Sequence, residues 1–367
     1  MKVRHLLGIS GGKDSAALAI YMKTRYPEIS MEYYFCDTGK ELDETYKLID
    51  ELEGFLGQKI SRWMAVKDSP EDPFDHFLKL YGGYLPSNMA RWCTKNLKLE
   101  PFEREVGDDL VISYVAIRGD ENREGYVSTK SNIQTIFPFR KNIWSVDILS
   151  KALGNDNITN FLIVYSEIAN KRVFEKAKGI ILEEISRKFF FSQKVEALLN
   201  INITAFNKVV FHCLKDTSYP IAHLEDYPLL NNEEIIVKDD VIKMIKVNGV
   251  TYPEYSKEIP YKINGEIGHY SRSRSGCFFC FYQQKIEWIW LYENHRARFD
   301  EAMNYEKDGY TWNENESLAD LIKPERIHQI KEDHLKKARN KLLSKKSNKL
   351  IDVLDDPEGI SCVNCFI

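Results

Sequence analysis

No stretch of the 367-residue chain is apolar over the length needed to cross a bilayer, so a membrane-embedded protein is not expected. A secretory leader is not expected either. Met1-Lys2-Val3-Arg4-His5-Leu6-Leu7 runs into glycine after a few apolar residues, too short for the apolar core of a signal peptide. A cytoplasmic location is the expectation. Net positive charge is missing: the formal balance is −4, so any nucleic-acid contact would need a local basic patch. There is no internal repeat, and no low-complexity tract beyond a lysine-rich stretch at 336–349. What remains is an ordinary globular balance, 43% hydrophobic and 29% charged, enough for one large domain with insertions or for two domains.

The first 150 residues alternate strand and helix patterns. Residues 3–9 read as a short buried strand, and Asp14 to Tyr26 carries apolar residues at helical spacing. Ser30 to Cys36 reads as a second strand and Glu41 to Leu56 as a second helix, with Leu42, Tyr46, Ile49, Leu52 and Phe55 on one stripe. Ile60 to Val66 and Leu110 to Ile117 suit further strands. Such alternation predicts an α/β fold, a parallel twisted sheet with helices on both faces and ligands at the carboxyl ends of its strands. The loops after Ile9 and Cys36 lie there. Residues 151–255 read as a mostly helical insertion ending in a hairpin, Val241 to Tyr252, that turns at Asn248-Gly249. Residues 256–367 form a cysteine-containing region with a basic helical tail.

Ser10-Gly11-Gly12-Lys13-Asp14-Ser15 sits between the first strand and the first helix. Glycines let the backbone approach a ligand closely, and the helix aims N–H groups and its positive dipole end at that ligand. Lys13 adds a point charge; Ser10 and Ser15 add hydroxyls. The set suits a bound pyrophosphate. Asp14 is out of place in an anion site unless a cation is present, which suggests Mg²⁺ between it and the phosphates. The spacing is not that of a Walker A loop. It resembles the PP-loop of the ATP pyrophosphatase superfamily, Ser-Gly-Gly-x-Asp-Ser.

Further elements narrow the resemblance: Asp37-Thr38-Gly39, Glu44-Thr45, Cys93-Thr94-Lys95-Asn96-Leu97-Lys98, Ile117-Arg118 with Glu121 and Arg123, and Trp144 with Asp147. Together they resemble the phosphoadenylyl-sulfate (PAPS) reductase branch, near the sulfur-inserting proteins of DNA phosphorothioation. Two elements depart from the branch: Ala116 stands where it has glycine, and two residues rather than three separate Trp144 from Asp147. Taken singly, Asp37-Thr38 suits a helix cap and Trp144 a core position. The resemblance implies an adenine-nucleotide enzyme using ATP and Mg²⁺, with Lys13, Asp14 and Arg118 catalytic. Ser10, Gly11, Gly12, Ser15, Asp37, Thr38, Lys95, Lys98 and Arg123 would bind the nucleotide.

Cys277-Phe278-Phe279-Cys280 and Cys362-Val363-Asn364-Cys365 are two Cys-x-x-Cys pairs, a metal signal in a reducing compartment. Three arrangements stay open. One is a [4Fe–4S] cluster on Cys277, Cys280 and two of Cys93, Cys362 and Cys365, as the resemblance to cluster-bearing sulfonucleotide reductases implies. Another is Zn²⁺ on the two pairs. The third leaves Cys277 and Cys280 structural. Cys36 and Cys213 read as buried hydrophobes. The Glu-Cys-Gly-x-His of true sulfonucleotide reductases is absent, which argues for an ATP pyrophosphatase that adenylates an acceptor for sulfur transfer over a reductase of adenylyl sulfate. A nucleotide-binding regulatory subunit of a defence complex is a third reading. Partners would be an adenine nucleotide, DNA or tRNA along the basic tail from Lys331 to Lys349, and a protein that donates sulfur or completes a complex.

Overall fold

The computed structural model describes residues 2–344 apart from 122, 124, 126, 127 and 308. Five strands form one parallel sheet: β1 (Arg4–Gly8), β2 (Met31–Asp37), β3 (Ser61–Met64), β4 (Val111–Tyr114) and β5 (Ile133–Ile136), in the order β3-β2-β1-β4-β5. His5 of β1 lies opposite Met31 on one side and Ile112 on the other. Parallel strands are covered on both faces, and successive residues show it. Leu6 enters a small core with Tyr34, Trp63 and Phe102, while Leu7 enters the main core on the opposite face.

Helix α1 (Lys13–Arg25) is buried from Asp14 to Met22 without interruption. A helix apolar all round is a buried helix, and α1 is wedged between the sheet and a later helix, α11. Helix α2 (Asp43–Leu56) shows only a stripe, Leu48, Ile49, Leu52 and Leu56, and stops at Gly57, whose φ of +68° is the left-handed cap that glycine tolerates. After β3 come α3 (Pro73–Leu80), α4 (Trp92–Thr94), a π-helical turn at Lys95–Leu99 and α5 (Glu100–Val106).

The middle of the chain is helical: α6 (Val146–Leu153), α7 (Ile158–Ile168), α8 (Lys171–Leu182), α9 (Phe191–Ile201), α10 (Ile203–Cys213) and α11 (Lys238–Val247). Its buried side chains, from Ile148 to Val250, are continuous with those of α1 and the sheet. The hairpin expected at Val241 to Tyr252 is instead α11 and its exit. Val241 and Ile245, four apart, are the buried pair, and Asn248-Gly249 ends the helix with Gly249 at φ +71°. The antiparallel hairpin lies further on, β6 (Ile259–Ile263) and β7 (Glu266–Tyr270), and turns at Asn264-Gly265 with both φ positive, as a tight hairpin turn demands.

Helices α12 (Lys285–Asn294), α13 (Arg296–Asn304), α14 (Leu318–Leu321) and α15 (Pro324–Ser344) complete a second core. It gathers Trp288, Phe299 and Trp312 with Phe278 and Phe279, and draws Leu42, Phe74 and Trp92 from the first hundred residues. No helix among the described residues is long and apolar enough to cross a membrane.

Candidate functional site

The Ser10–Ser15 loop leaves the carboxyl end of β1, which pairs with β2 on one side and β4 on the other. This is the point where the strand order reverses, the usual place for a ligand in such sheets. Gly11 has φ +70°, and a Cβ there would stand 2.2 Å from Thr45 Cγ2. Gly12 caps α1 without a side-chain hydrogen bond of its own, which leaves the helix start open to other partners. The Ser10 backbone N–H donates to Ser15 Oγ at 3.1 Å, and the Ser10 and Ser15 hydroxyls lie 3.2 Å apart.

Asp14 has a partner that its sequence position did not reveal. Arg118 Nη1 lies 2.9 Å from Asp14 Oδ1 and Lys13 Nζ lies 3.7 Å from Asp14 Oδ2. Arg118 also binds Asp120 at 2.9 Å and Glu121 at 3.0 Å, and Arg123 binds Glu121 at 2.8 Å. The carboxylate is thus balanced by a buried guanidinium, and Mg²⁺ is not required to explain an acid in the loop. A Mg²⁺ ion would arrive with the nucleotide.

At the end of β2, Asp37 Oδ1 accepts from the Gly39 N–H and from the Tyr46 hydroxyl, both at 2.9 Å. The helix-cap role open to Asp37-Thr38 is not taken, because α2 starts at Asp43. Thr38 instead donates to Glu41 Oε1 at 2.6 Å. Burial, and then the charge of Asp37, raise the Glu41 carboxyl pKa. Lys98 is near enough for its charge to act on Glu41, Cys36 and Cys277. Lys95 is 72% exposed and faces Glu100 at 4.0 Å, so the structure separates the two lysines. Trp144 is core, its indole N–H donating to Asn207 Oδ1 at 3.0 Å.

Cys277 Sγ lies 3.1 Å from Thr38 Oγ1, and burial raises its thiol pKa. Cys93 is close enough for its charge to act on Cys277. Yet no three His, Cys, Asp or Glu side chains among the described residues form a group that could hold a metal ion. Cys362 and Cys365, named above for a [4Fe–4S] cluster or Zn²⁺, lie outside the described residues. Cys36 is buried, and lack of solvation lifts its thiol to about 12; Cys213 packs half-buried against the main core.

Three residues with no motif of their own complete the site. Tyr255 donates its hydroxyl to the Gly11 carbonyl at 2.7 Å, and Ser275 Oγ reaches Ser10 Oγ at 3.1 Å. Arg272 is 1% exposed and holds the Cys277 carbonyl, but its Nε and Nη1 have no partner. The only sequence signal was the Ser-Arg-Gly richness of residues 271–280, which covers Arg272 and Ser275 but not Tyr255. In the described part of the basic tail, Lys331 pairs with Glu293 at 2.7 Å, Lys336 with Glu332 at 2.9 Å, and Arg339 with Glu266; Lys345, Lys346 and Lys349 lie outside the described residues.

The fold is an α/β domain with a glycine-containing loop at the switch point of its parallel sheet, where ligands of such sheets sit. Residues 4–138 match the phosphoadenosine phosphosulfate reductase domain, so that part of the chain is similar to this family. The chain is also similar to an uncharacterized protein of Methanocaldococcus jannaschii, 31% identical over 165 residues, which cover 41% of this chain and 32% of that relative. The match thus spans about a third of the relative's length.

Proposed function

We propose that the chain is an ATP pyrophosphatase of the PAPS reductase-like kind that adenylates an acceptor for sulfur transfer. The observation that carries this reading is the Ser10–Ser15 loop, with its uncapped helix start and its Lys13–Asp14–Arg118 charge array. An acceptor oxygen would attack the α-phosphorus, and the bond to the bridging oxygen would break, with its electron pair leaving on pyrophosphate. The loop N–H groups and Lys13 stabilise the charge that gathers on that leaving group. A sulfur nucleophile would then displace AMP. The sulfur-inserting proteins of DNA phosphorothioation systems are the nearest functional analogues, and DNA, tRNA or protein would be the acceptor. No step is routed through the cysteines.

The test uses the full chain with MgATP labelled at the α-phosphate and DNA, tRNA or protein as acceptor. Labelled AMP and pyrophosphate are expected, and Lys13→Ala is expected to lose at least about 100-fold in rate with an unchanged circular dichroism spectrum. Normal turnover in that variant would sink the assignment. A second reading, a thiol-dependent reductase of adenylyl sulfate or its 3′-phosphorylated form, draws support from the matched domain's description. It requires sulfite release from the sulfonucleotide without ATP cleavage. Tight ATP binding with no turnover for any acceptor would favour the regulatory-subunit reading.

A further inference from the structure

The phosphate loop is covered by a segment more than 240 residues away along the chain. Ser275 Oγ contacts Ser10 Oγ, and a Cβ placed on Gly12 would stand 2.7 Å from that same Ser275 oxygen. Three hydroxyls, of Ser10, Ser15 and Ser275, therefore converge on the start of α1. Two further observations point to a missing polar ligand. Thr45 is fully buried against Gly11, and its Oγ1 has no partner. Arg272, three residues before Ser275, buries two N–H donors that also lack one. Buried donors without partners are costly, and a bound anion is a common remedy.

We propose that residues 271–280 are the second half of the phosphate site and that Ser275 is a binding residue for the polyphosphate of the nucleotide, its hydroxyl exchanging Ser10 for a phosphate oxygen. The ligand class is a nucleoside triphosphate or free pyrophosphate, recognised at the phosphates beyond the first. The inference rests on the nucleotide reading above. It adds that the C-terminal region is part of the binding site, with Cys277 two residues from the phosphate contact.

Titration calorimetry on the full chain with ATP, inorganic pyrophosphate and AMP tests it. Ser275→Ala is expected to weaken ATP and pyrophosphate by about tenfold, the loss of one hydrogen bond to a charged group, and to leave AMP unchanged. Ser10→Ala combined with Ser275→Ala should give less than the sum of the two single losses, because the hydroxyls share one ligand. A thermal melt within a degree or so of the parent confirms that the variant folds; if it does not, Ser275→Thr, which keeps the hydroxyl, must restore both folding and ATP affinity. Equal weakening of AMP and ATP, or no weakening of either polyphosphate, overturns the role of Ser275 while leaving the loop intact. A parent chain that binds neither ATP nor pyrophosphate overturns the nucleotide reading itself.

Discussion

The two large cores of the molecule are assembled differently. The sheet core runs from Val3 to Val250, with α1 at its centre and the helices of the middle region stacked outward from it. The second core is spliced: Leu42, Phe74, Leu78, Leu85, Trp92 and Leu97 come from the early chain, and the other buried members from Tyr255 onward. Closing that splice brings Tyr255 and Ser275 onto the phosphate loop, and Phe278 N–H onto the Lys40 carbonyl beside the end of β2. Lys40, buried with Asp72, Asp75 and Glu301 each within 2.9 Å, fastens the same seam. In the proposed reading, the sheet core sets where the nucleotide lies, and the second core sets what closes over it.

The largest effect should come from emptying the spliced core. Phe279 stacks on Trp312 at 4.7 Å and touches Phe74 at 4.4 Å between ring centres. Phe279→Ala is expected to cost about 3–5 kcal/mol, read as a shift in the urea midpoint, and to weaken ATP binding because the loop from 271 to 280 loses its support. Destabilisation of that size with unchanged ATP affinity would break the division of labour between the cores.

The sheet core offers a probe of its own. His5 is largely buried beside Tyr114, its Nδ1 2.8 Å from the hydroxyl, and desolvation lowers its pKa from 6.5 to about 4. The unfolded chain therefore binds a proton that the folded chain refuses between those values. Stability that His5 contributes is full above pH 6.5 and is lost as the pH falls toward 4, by up to about 3 kcal/mol. Urea titrations from pH 7 to 4 should show that excess slope in the parent and not in His5→Gln. Parallel slopes would show that the pocket around His5 opens enough to hydrate the ring.

What could be read from the sequence was local. Ser10 to Ser15 are consecutive, and their strand and helix are adjacent in the chain, so loop and sheet were legible together. Strand β5 was not: Ile133-Gln134-Thr135-Ile136 is four residues long with a polar middle. Asn-Gly misled at Asn248, where it ends a helix, because the same left-handed glycine serves a helix stop and a hairpin. The helical spacing of Val241 and Ile245 was the better guide. The partner of Asp14, 104 residues on, left only a charge cluster in the sequence. Ser275 showed only as part of a Ser-Arg-Gly-rich loop, and Tyr255 was out of reach, since nothing local marks a side chain whose partner lies on the far side of the fold.

The smallest change probes the seam most directly. Tyr255 is buried and gives its hydroxyl to the Gly11 carbonyl. Tyr255→Phe keeps the ring and its packing, removes one hydrogen bond, and leaves the carbonyl unpaired, at a cost of about 1 kcal/mol. If the bond merely fastens the second core, that loss appears in the melt alone. If it also holds Gly11 in its left-handed conformation, at φ +70°, the loop N–H groups lose their aim and ATP binding weakens by several-fold in addition. The second outcome is expected, because Gly11 has no Cβ to constrain it and Tyr255 supplies an external restraint on its carbonyl. Adding ATP to the parent should then raise its melting temperature more than it raises that of Tyr255→Phe. An equal rise in both would confine Tyr255 to packing and leave Ser275 as the contact that ties the second core to the phosphates.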